Sequence, residues 1–153
     1  FEEPNTPVFY NNKYVKDNVK MPLAHGERVF GRWEYIRYFM DNSIQVIQPD
    51  IGNAGGITET KRICDMAYTF DVGVQIHTCA SHLLTPPSVQ LEACIPNFVI
   101  HEQHMRSMNP SNQELTAKVV MPKNGYLDVT DDIGIGNEWS DKALASEDQI
   151  TLN

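Results

Sequence analysis

V-I-Q-P-D-I-G-N-A-G-G-I-T-E-T-K-R-I, residues Val46–Ile63, is the stretch from which the fold is read. A short apolar strand ends at Asp50, a Gly-rich turn follows, and Ile57 opens a helical pattern. One carboxylate therefore stands where strand gives way to loop, which is where α/β enzymes place their chemistry. On both sides of it ionisable residues recur at nearly even steps: Glu2, Glu27, Asp50, His77 and Glu102 follow one another at intervals of 25, 23, 27 and 25 residues. A strand–helix unit of a parallel barrel takes roughly 25–30 residues. Each rung is accordingly expected at the carboxyl-terminal end of a successive strand.

With 153 residues and 41% apolar content, the chain has material for one core but not for two ordinary domains. A net charge of −8 with no basic cluster argues against nucleic acid, since Lys and Arg supply most phosphate binding. A small anionic substrate remains compatible if a metal supplies local positive charge. Cys64, Cys79 and Cys94 form no C-x-x-C pair and read as free thiols of a reducing compartment, so a cytoplasmic location is expected. No apolar run reaches the length of a membrane span and no signal segment is evident. Phe1-Glu2-Glu3-Pro4 looks like the end of a strand whose body is missing, so the chain is expected to be a piece of a longer polypeptide.

In chain order, Thr6-Pro7 signals a helix start, after which Phe9, Tyr10 and Tyr14 share a predicted face. Val19–Ala24 is a predicted strand running into His25-Gly26-Glu27-Arg28. Trp33, Ile36, Phe39 and Met40 recur at helical spacing as a core stripe, and Asn42-Ser43 ends that helix. Ile44–Gln48 is a strand buried on both faces. Ile57, Ile63, Met66, Ala67 and Phe70 predict a helix, Asp71–Gly73 a turn, and Val74–Ile76 the strand delivering His77. Thr85-Pro86-Pro87 opens a helix that runs to Cys94, and Phe98–Ile100 is the strand delivering Glu102. Such alternation predicts a parallel sheet with right-handed crossovers, and rungs falling at one end favour a barrel. Beyond Asn112 the rhythm fails: Asn124-Gly125 reads as a hairpin turn, Asp131–Glu138 as a loop, and the tail after Trp139 as a polar segment that frays or packs elsewhere.

Each rung also has a plainer reading. Glu-Glu-Pro is commonly a solvated strand end, Gly-Glu-Arg a turn with a surface ion pair, Asp50 a helix cap, and His77 a satisfied core histidine. Asn53-Ala54-Gly55-Gly56 lacks both the G-x-G-x-x-G pattern and the P-loop Lys of phosphate loops. Cys79 reads as a packed thiol.

Taken together, Glu2-Glu3-Pro4, Gly26-Glu27-Arg28, Gln48-Pro49-Asp50 with Gly55-Gly56-Ile57-Thr58, His77 and Glu102 resemble the carboxy-terminal part of the enolase superfamily. Within it they are most similar to the mandelate racemase subgroup and its acid-sugar dehydratases of galactonate dehydratase type. The resemblance implies an α/β fold: a partial TIM-type (β/α) barrel from the end of strand 4 to strand 8 over residues 1–111, then a hairpin and tail over 112–153 returning towards a capping domain. It implies Mg²⁺ as cofactor, with Glu2 and Glu27 as metal ligands and oxygen donors suited to that hard cation. It implies that His77 is the general base, that Asp50 fixes its tautomer, and that Glu102, sharing or holding a proton, hydrogen-bonds the substrate carboxylate. Glu3 and Arg28 flank the ligands and read as their neighbours. His25 and His82, on loops at the expected active face, are candidates for substrate contact, whereas His101 should point to the opposite side of its strand from Glu102.

The implied reaction is dehydration of a sugar acid to a 2-keto-3-deoxy acid through an enediolate. The alternatives are a racemase or epimerase of a 2-hydroxy acid on the same scaffold, or a non-catalytic barrel protein. Implied partners are a small-molecule sugar acid and the remainder of the polypeptide (capping domain and strands 1–3), with assembly into a homo-oligomer and no nucleic acid or membrane. The family's third metal ligand has no counterpart here, so this segment alone is expected to be inactive. Ile133-Gly134-Ile135-Gly136 departs from the relatives' Pro-Gly-x-Gly. A partial barrel would also leave two strand edges unpaired.

Overall fold

The apolar runs that end at the ladder residues pair side by side. In the computed structural model, which describes residues 1–146, three short strands, β1 (Ala24–His25), β2 (Val46–Ile47) and β3 (Gly73–Val74), form a parallel sheet in the order β1-β2-β3. Ala24 pairs with Val46 and Val46 with Gly73. Single parallel bridges extend the run outwards, from Glu2 to Ala24 on one flank and from Val74 to Phe98 on the other, and a third joins Asp50 to His77 beyond the strand ends. Parallel neighbours require a crossover, and helices supply it: α1 (Phe9–Asn18), α2 (Gly31–Met40), α3 (Gly56–Thr69) and α4 (Thr85–Ala93) alternate with the strands. The architecture is thus α/β with a parallel sheet, as the alternation predicts.

The core lies between this sheet and the helices. Ile44, Ile47, Val74 and Ile76 from the sheet side meet Tyr35, Tyr38 and Phe39 of α2 and Ile63, Cys64 and Ala67 of α3, all buried. Phe39 stacks between Tyr35 and Phe70, with centroids 6.3 and 5.5 Å away. The predicted α2 stripe needs correction: Trp33 and Met40 are each 73% exposed. Two stripes compete on that helix, and the winning one carries Tyr35, whose hydroxyl donates to the carbonyl of Gly26 at 2.7 Å. Trp33 lies outside and takes the Arg32 guanidinium over its ring.

Other boundaries shift modestly. The first helix starts at Phe9 with Val8 as its N-cap, not at Thr6-Pro7, and its buried residue is Asn12, which donates to the Ser43 carbonyl at 2.6 Å. Tyr10 and Tyr14 are exposed. The strand predicted over Val19–Ala24 is realised only as Ala24–His25. Phe98, Val99 and Ile100 are exposed along the flank beyond β3.

After the sheet, a 3₁₀ turn (Met105–Met108) and the short helix α5 (Pro110–Gln113) lead into irregular chain. The hairpin turn is observed: Lys123 bridges Tyr126, with Asn124 and Gly125 both at positive φ (53° and 84°), as a two-residue primed turn requires. Loop 131–138 follows, and Gly136 sits where a Cβ would meet Pro86 at 2.9 Å. Thr116 bridges Trp139, and α6 (Asp141–Ser146) buries Ala143. The end of the predicted tail, 147–153, lies outside the described residues.

Candidate active site

Because neighbouring strands are in register and parallel, residues a few positions past each pairing emerge at one end of the sheet. Glu27, Asp50, His77 and Glu102 all lie three or four residues beyond a paired position, while Glu2 is itself in a bridge to Ala24. Three of them touch in sequence. Asp50 Oδ2 lies 2.7 Å from His77 Nδ1, and His77 Nε2 lies 3.0 Å from Glu27 Oε2. A single imidazole thus spans two carboxylates.

Asp50 is held in place by its backbone neighbours. Pro49 closes the strand, and the turn that follows aims two backbone donors back at Oδ1, the N–H groups of Gly52 (2.7 Å) and Asn53 (3.2 Å). The α3 helix is capped instead by Gly55 in a left-handed conformation, φ 112°, with no side-chain cap, so helix capping is not what occupies Asp50. Burial works against protonation of His77. The Asp50 hydrogen bond and the charges of Glu102, Glu27 and Asp50 outweigh it and hold the ring above the ordinary imidazole value. Burial pushes the Glu102 carboxyl up and the charge of Glu2 adds to this, against the opposing influence of His77. Glu102 Oε2 is buried without a partner among the described residues. The shift favours a carboxyl that can retain a proton and donate.

The other candidates divide. His25 and His82 are each fully buried, which removes the substrate contact expected of them. The His25 ring packs against Tyr38 and lies 3.0 Å from Glu3. His82 Nε2 is tied to the Ser107 carbonyl at 3.0 Å, and Asn137 donates to the His82 carbonyl. Sequence spacing placed both on loops at the right end, but chain segments distant in sequence cover them. His101 faces away from Glu102's side and pairs with the buried Glu92 at 2.7 Å, as strand alternation requires. Cys79 is half-buried with its thiol pushed up by burial, which suits packing rather than nucleophilic attack. The three cysteines are free.

Two polar anchors were not visible in the spacing. Glu3, adjacent to the ladder, accepts from Gly26 N–H (3.1 Å) and from Arg28 (Nε 3.2 Å, Nη2 2.5 Å). Tyr35 holds the other side of Gly26. Only the glycine beside Glu27 hinted at them: Gly26 sits at φ 142°, and a Cβ there would lie 2.7 Å from the Tyr35 hydroxyl.

Glu2 and Glu27 offer carboxylate oxygens, the donor type that suits a hard dication. Among the described residues no group of three His, Cys, Asp or Glu is arranged to hold a metal, so the donor chemistry fits while the number of donors falls short. Two clefts, of about 480 and 470 Å³, lie elsewhere. One is bounded by Glu92, His101, Phe98 and Tyr126, the other by Pro86, Leu91, Asp131 and Ile135. No described helix is long and apolar enough to cross a membrane.

A parallel α/β segment with acids and a histidine at the carboxyl ends of consecutive strands defines a class, that of α/β folds with a polar strand-end site. The chain belongs to the enolase C-terminal domain-like family, whose sequence model matches residues 1–143. The chain superposes on a member of the enolase superfamily from Salmonella Typhimurium with a TM-score of 0.95 at 42% identity, covering 99% of this chain and 39% of that one. A D-galactonate dehydratase from Pectobacterium atrosepticum is 31% identical over 113 residues, 67% of this chain and 30% of its own length. A D-xylonate dehydratase from Haloferax volcanii is 27% identical over 136 residues, 88% of this chain and 33% of its own length. The chain therefore spans about a third of the length of the curated relatives it matches.

Proposed function

We propose that the polypeptide carrying this chain is a cytoplasmic, Mg²⁺-dependent hydro-lyase that dehydrates a sugar acid of galactonate-like type to a 2-keto-3-deoxy acid. In this reading residues 1–111 are the carboxy-terminal part of a (β/α) barrel, from the end of strand 4 to strand 8. Residues 112–153 return towards a capping domain, and the active protein is a homo-oligomer. The observation that carries the reading is the line Asp50–His77–Glu27 at consecutive strand ends. The sugar-acid dehydratases among the relatives supply the substrate class.

Glu2 and Glu27 would contribute oxygens to Mg²⁺, with further ligands from outside this chain, so the segment alone is inactive. Bound there, the cation would stabilise negative charge developing on the substrate carboxylate. His77 removes the proton α to that carboxylate through Nε2, which is unprotonated in the tautomer Asp50 fixes and becomes accessible when the Glu27 carboxylate, 3.0 Å away here, turns to the cation instead. Asp50 holds Nδ1–H, which fixes the basic tautomer and stabilises the imidazolium that results. Glu102 supplies a hydrogen bond to the carboxylate as it becomes an enediolate, which its raised pKa supports. The hydroxyl on the neighbouring carbon leaves as water, taking its proton from a general acid supplied from outside this chain, and the resulting enol tautomerises to the keto acid.

The test is His77→Asn in the full-length protein, assayed for keto-acid formation on an acid-sugar panel. Loss of on the order of 10²–10⁴-fold in kcat is expected for removal of a general base. Turnover at the wild-type rate would remove His77 from that role.

A further inference from the structure

We infer that Glu3 is a positioning residue: it engages Arg28 and the Gly26 N–H so that the Glu27 carboxylate is left to face His77. Four observations carry this. The Glu3 backbone sits at φ 42°, a left-handed conformation that a non-glycine residue adopts only when its surroundings impose it. Its side chain brackets Glu27 from both sides along the chain, at Gly26 N–H (3.1 Å) before and at the Arg28 guanidinium (2.5 and 3.2 Å) after. Arg28 has two carboxylates in reach and is committed to one, standing 2.5 Å from Glu3 but 3.9 Å from Glu27. Glu27 in turn meets His77 at 3.0 Å. Those two are the only ion-pair contacts of Glu27 among the described residues.

The arrangement needs a carboxylate. The hydrogen bonds Glu3 accepts all come from nitrogens, the Gly26 amide and the Arg28 fork. A group facing only donors works best as a pure acceptor. Tyr35 completes the brace by fixing the Gly26 carbonyl. If the Glu3 charge is removed, Arg28, only half buried, has Glu27 as its nearest remaining carboxylate. It then draws that side chain from His77, and the same swing would occupy an oxygen needed for a cation.

The inference rests on the proposed reading of Glu27 and His77 as one site, and its test separates the two. In full-length protein labelled with ¹⁵N-histidine, the His77 Nε2 resonance reports the contact with Glu27. Glu27→Gln sets the direction of the shift when that contact is lost. Glu3→Gln is expected to shift the resonance the same way, Glu3→Gln with Arg28→Gln to return it towards wild type, and Arg28→Gln alone to leave it in place. Glu59→Gln, which breaks a comparable pair with Arg32, is the control and leaves it unmoved. In activity, Glu3→Gln is expected to cost about 10–100-fold in kcat/KM, the usual scale for a group that orients a metal ligand, and to cost nothing further in a Glu27→Gln background. A resonance unmoved by Glu3→Gln, or not restored by the double variant, overturns the inference. Should Glu3→Gln not fold, the solvent-exposed Arg28→Gln still decides, because a shift in that variant contradicts a competitor role for Arg28. A wild-type protein inert on the acid-sugar panel would instead remove the functional reading, while the resonances would still decide the role of Glu3.

Discussion

Replacing Asp50 by Asn keeps the shape of the side chain and removes its charge, which separates orientation from bulk. Asp50 Oδ1 accepts two backbone N–H groups, from Gly52 and Asn53, and Oδ2 faces His77 Nδ1 at 2.7 Å. In Asp50→Asn the amide oxygen must stay on the two backbone donors, since the alternative buries two donors against two others. The amide NH₂ then points at Nδ1, and the ring must accept there, moving its proton to Nε2. That is the wrong tautomer for a base, and it presents an N–H to Glu27. The analogous Asp→Asn change in hydrolytic triads costs about 10⁴ in kcat, and a loss on the order of 10³–10⁴ is expected here, about 4–5.5 kcal/mol at 1.36 kcal/mol per decade. Stability should fall by only about 1.5–3 kcal/mol, the worth of a hydrogen bond to a charged group. The sign of the pH effect follows from the raised His77 pKa. A raised value contributes stability that is complete below the unfolded imidazole pKa and is lost as pH rises through the folded one. Asp50→Asn removes the largest favourable cause, so the stability–pH curve should flatten across that window. The measurements are kcat on the best acid sugar, ring tautomer by ¹⁵N resonance, and denaturant unfolding as a function of pH. Retention of kcat within tenfold, or a ring still protonated on Nδ1, would refute the tautomer argument.

Tyr35→Phe removes one of two hydrogen bonds to the Gly26 carbonyl, which keeps the Val29 N–H, and should cost about 0.5–1.5 kcal/mol in denaturant unfolding, the net worth of one hydrogen bond. Gly26→Ala should be worse and yield little folded protein by circular dichroism, because its Cβ would lie 2.7 Å from the Tyr35 hydroxyl at φ 142°. Ile63→Ala, at a fully buried position on α3, should lose about 2–5 kcal/mol in the same unfolding assay. Glu92 has its carboxyl raised, mainly by burial and against the pull of His101. Its stabilising share is complete below the ordinary glutamate pKa and lost as pH climbs through the raised value, so Glu92→Gln should show a smaller fall in melting temperature over that interval.

The ladder was legible because a strand–helix repeat of fixed length converts spacing in sequence into adjacency in space. Asp50 and His77, 27 residues apart, become bridge partners. Register is a backbone property, so regular spacing suffices to read it. Burial is different. His25 and His82 had the right positions along the chain, but their environments are supplied by Tyr38 and Glu3 in one case and by Ser107 and Asn137 in the other. No periodicity encodes those contacts. The α2 stripe held only in part: Phe39 is in the core and Ile36 packs against it, but Trp33 and Met40 lie outside while Tyr35 and Tyr38 are buried in their place, Tyr35 with its hydroxyl on the Gly26 carbonyl.

The same reasoning explains why the sequence marks Glu3 as a neighbour of the ligands without showing what it holds. A motif marks residues by order, and order cannot tell which of two adjacent acids faces the site and which turns back to hold its neighbours. The positive φ at Glu3 makes that choice, because it turns the second carboxylate onto Gly26 and Arg28 instead of letting it continue the strand's alternation. A site with acids on every rung carries an internal hazard, in that any nearby cation can quench the wrong one. Arg28 is the nearest such cation to Glu27. Spending one acid to occupy it is a local solution to a problem that the ladder itself creates, and Glu3→Gln is the substitution that exposes the problem.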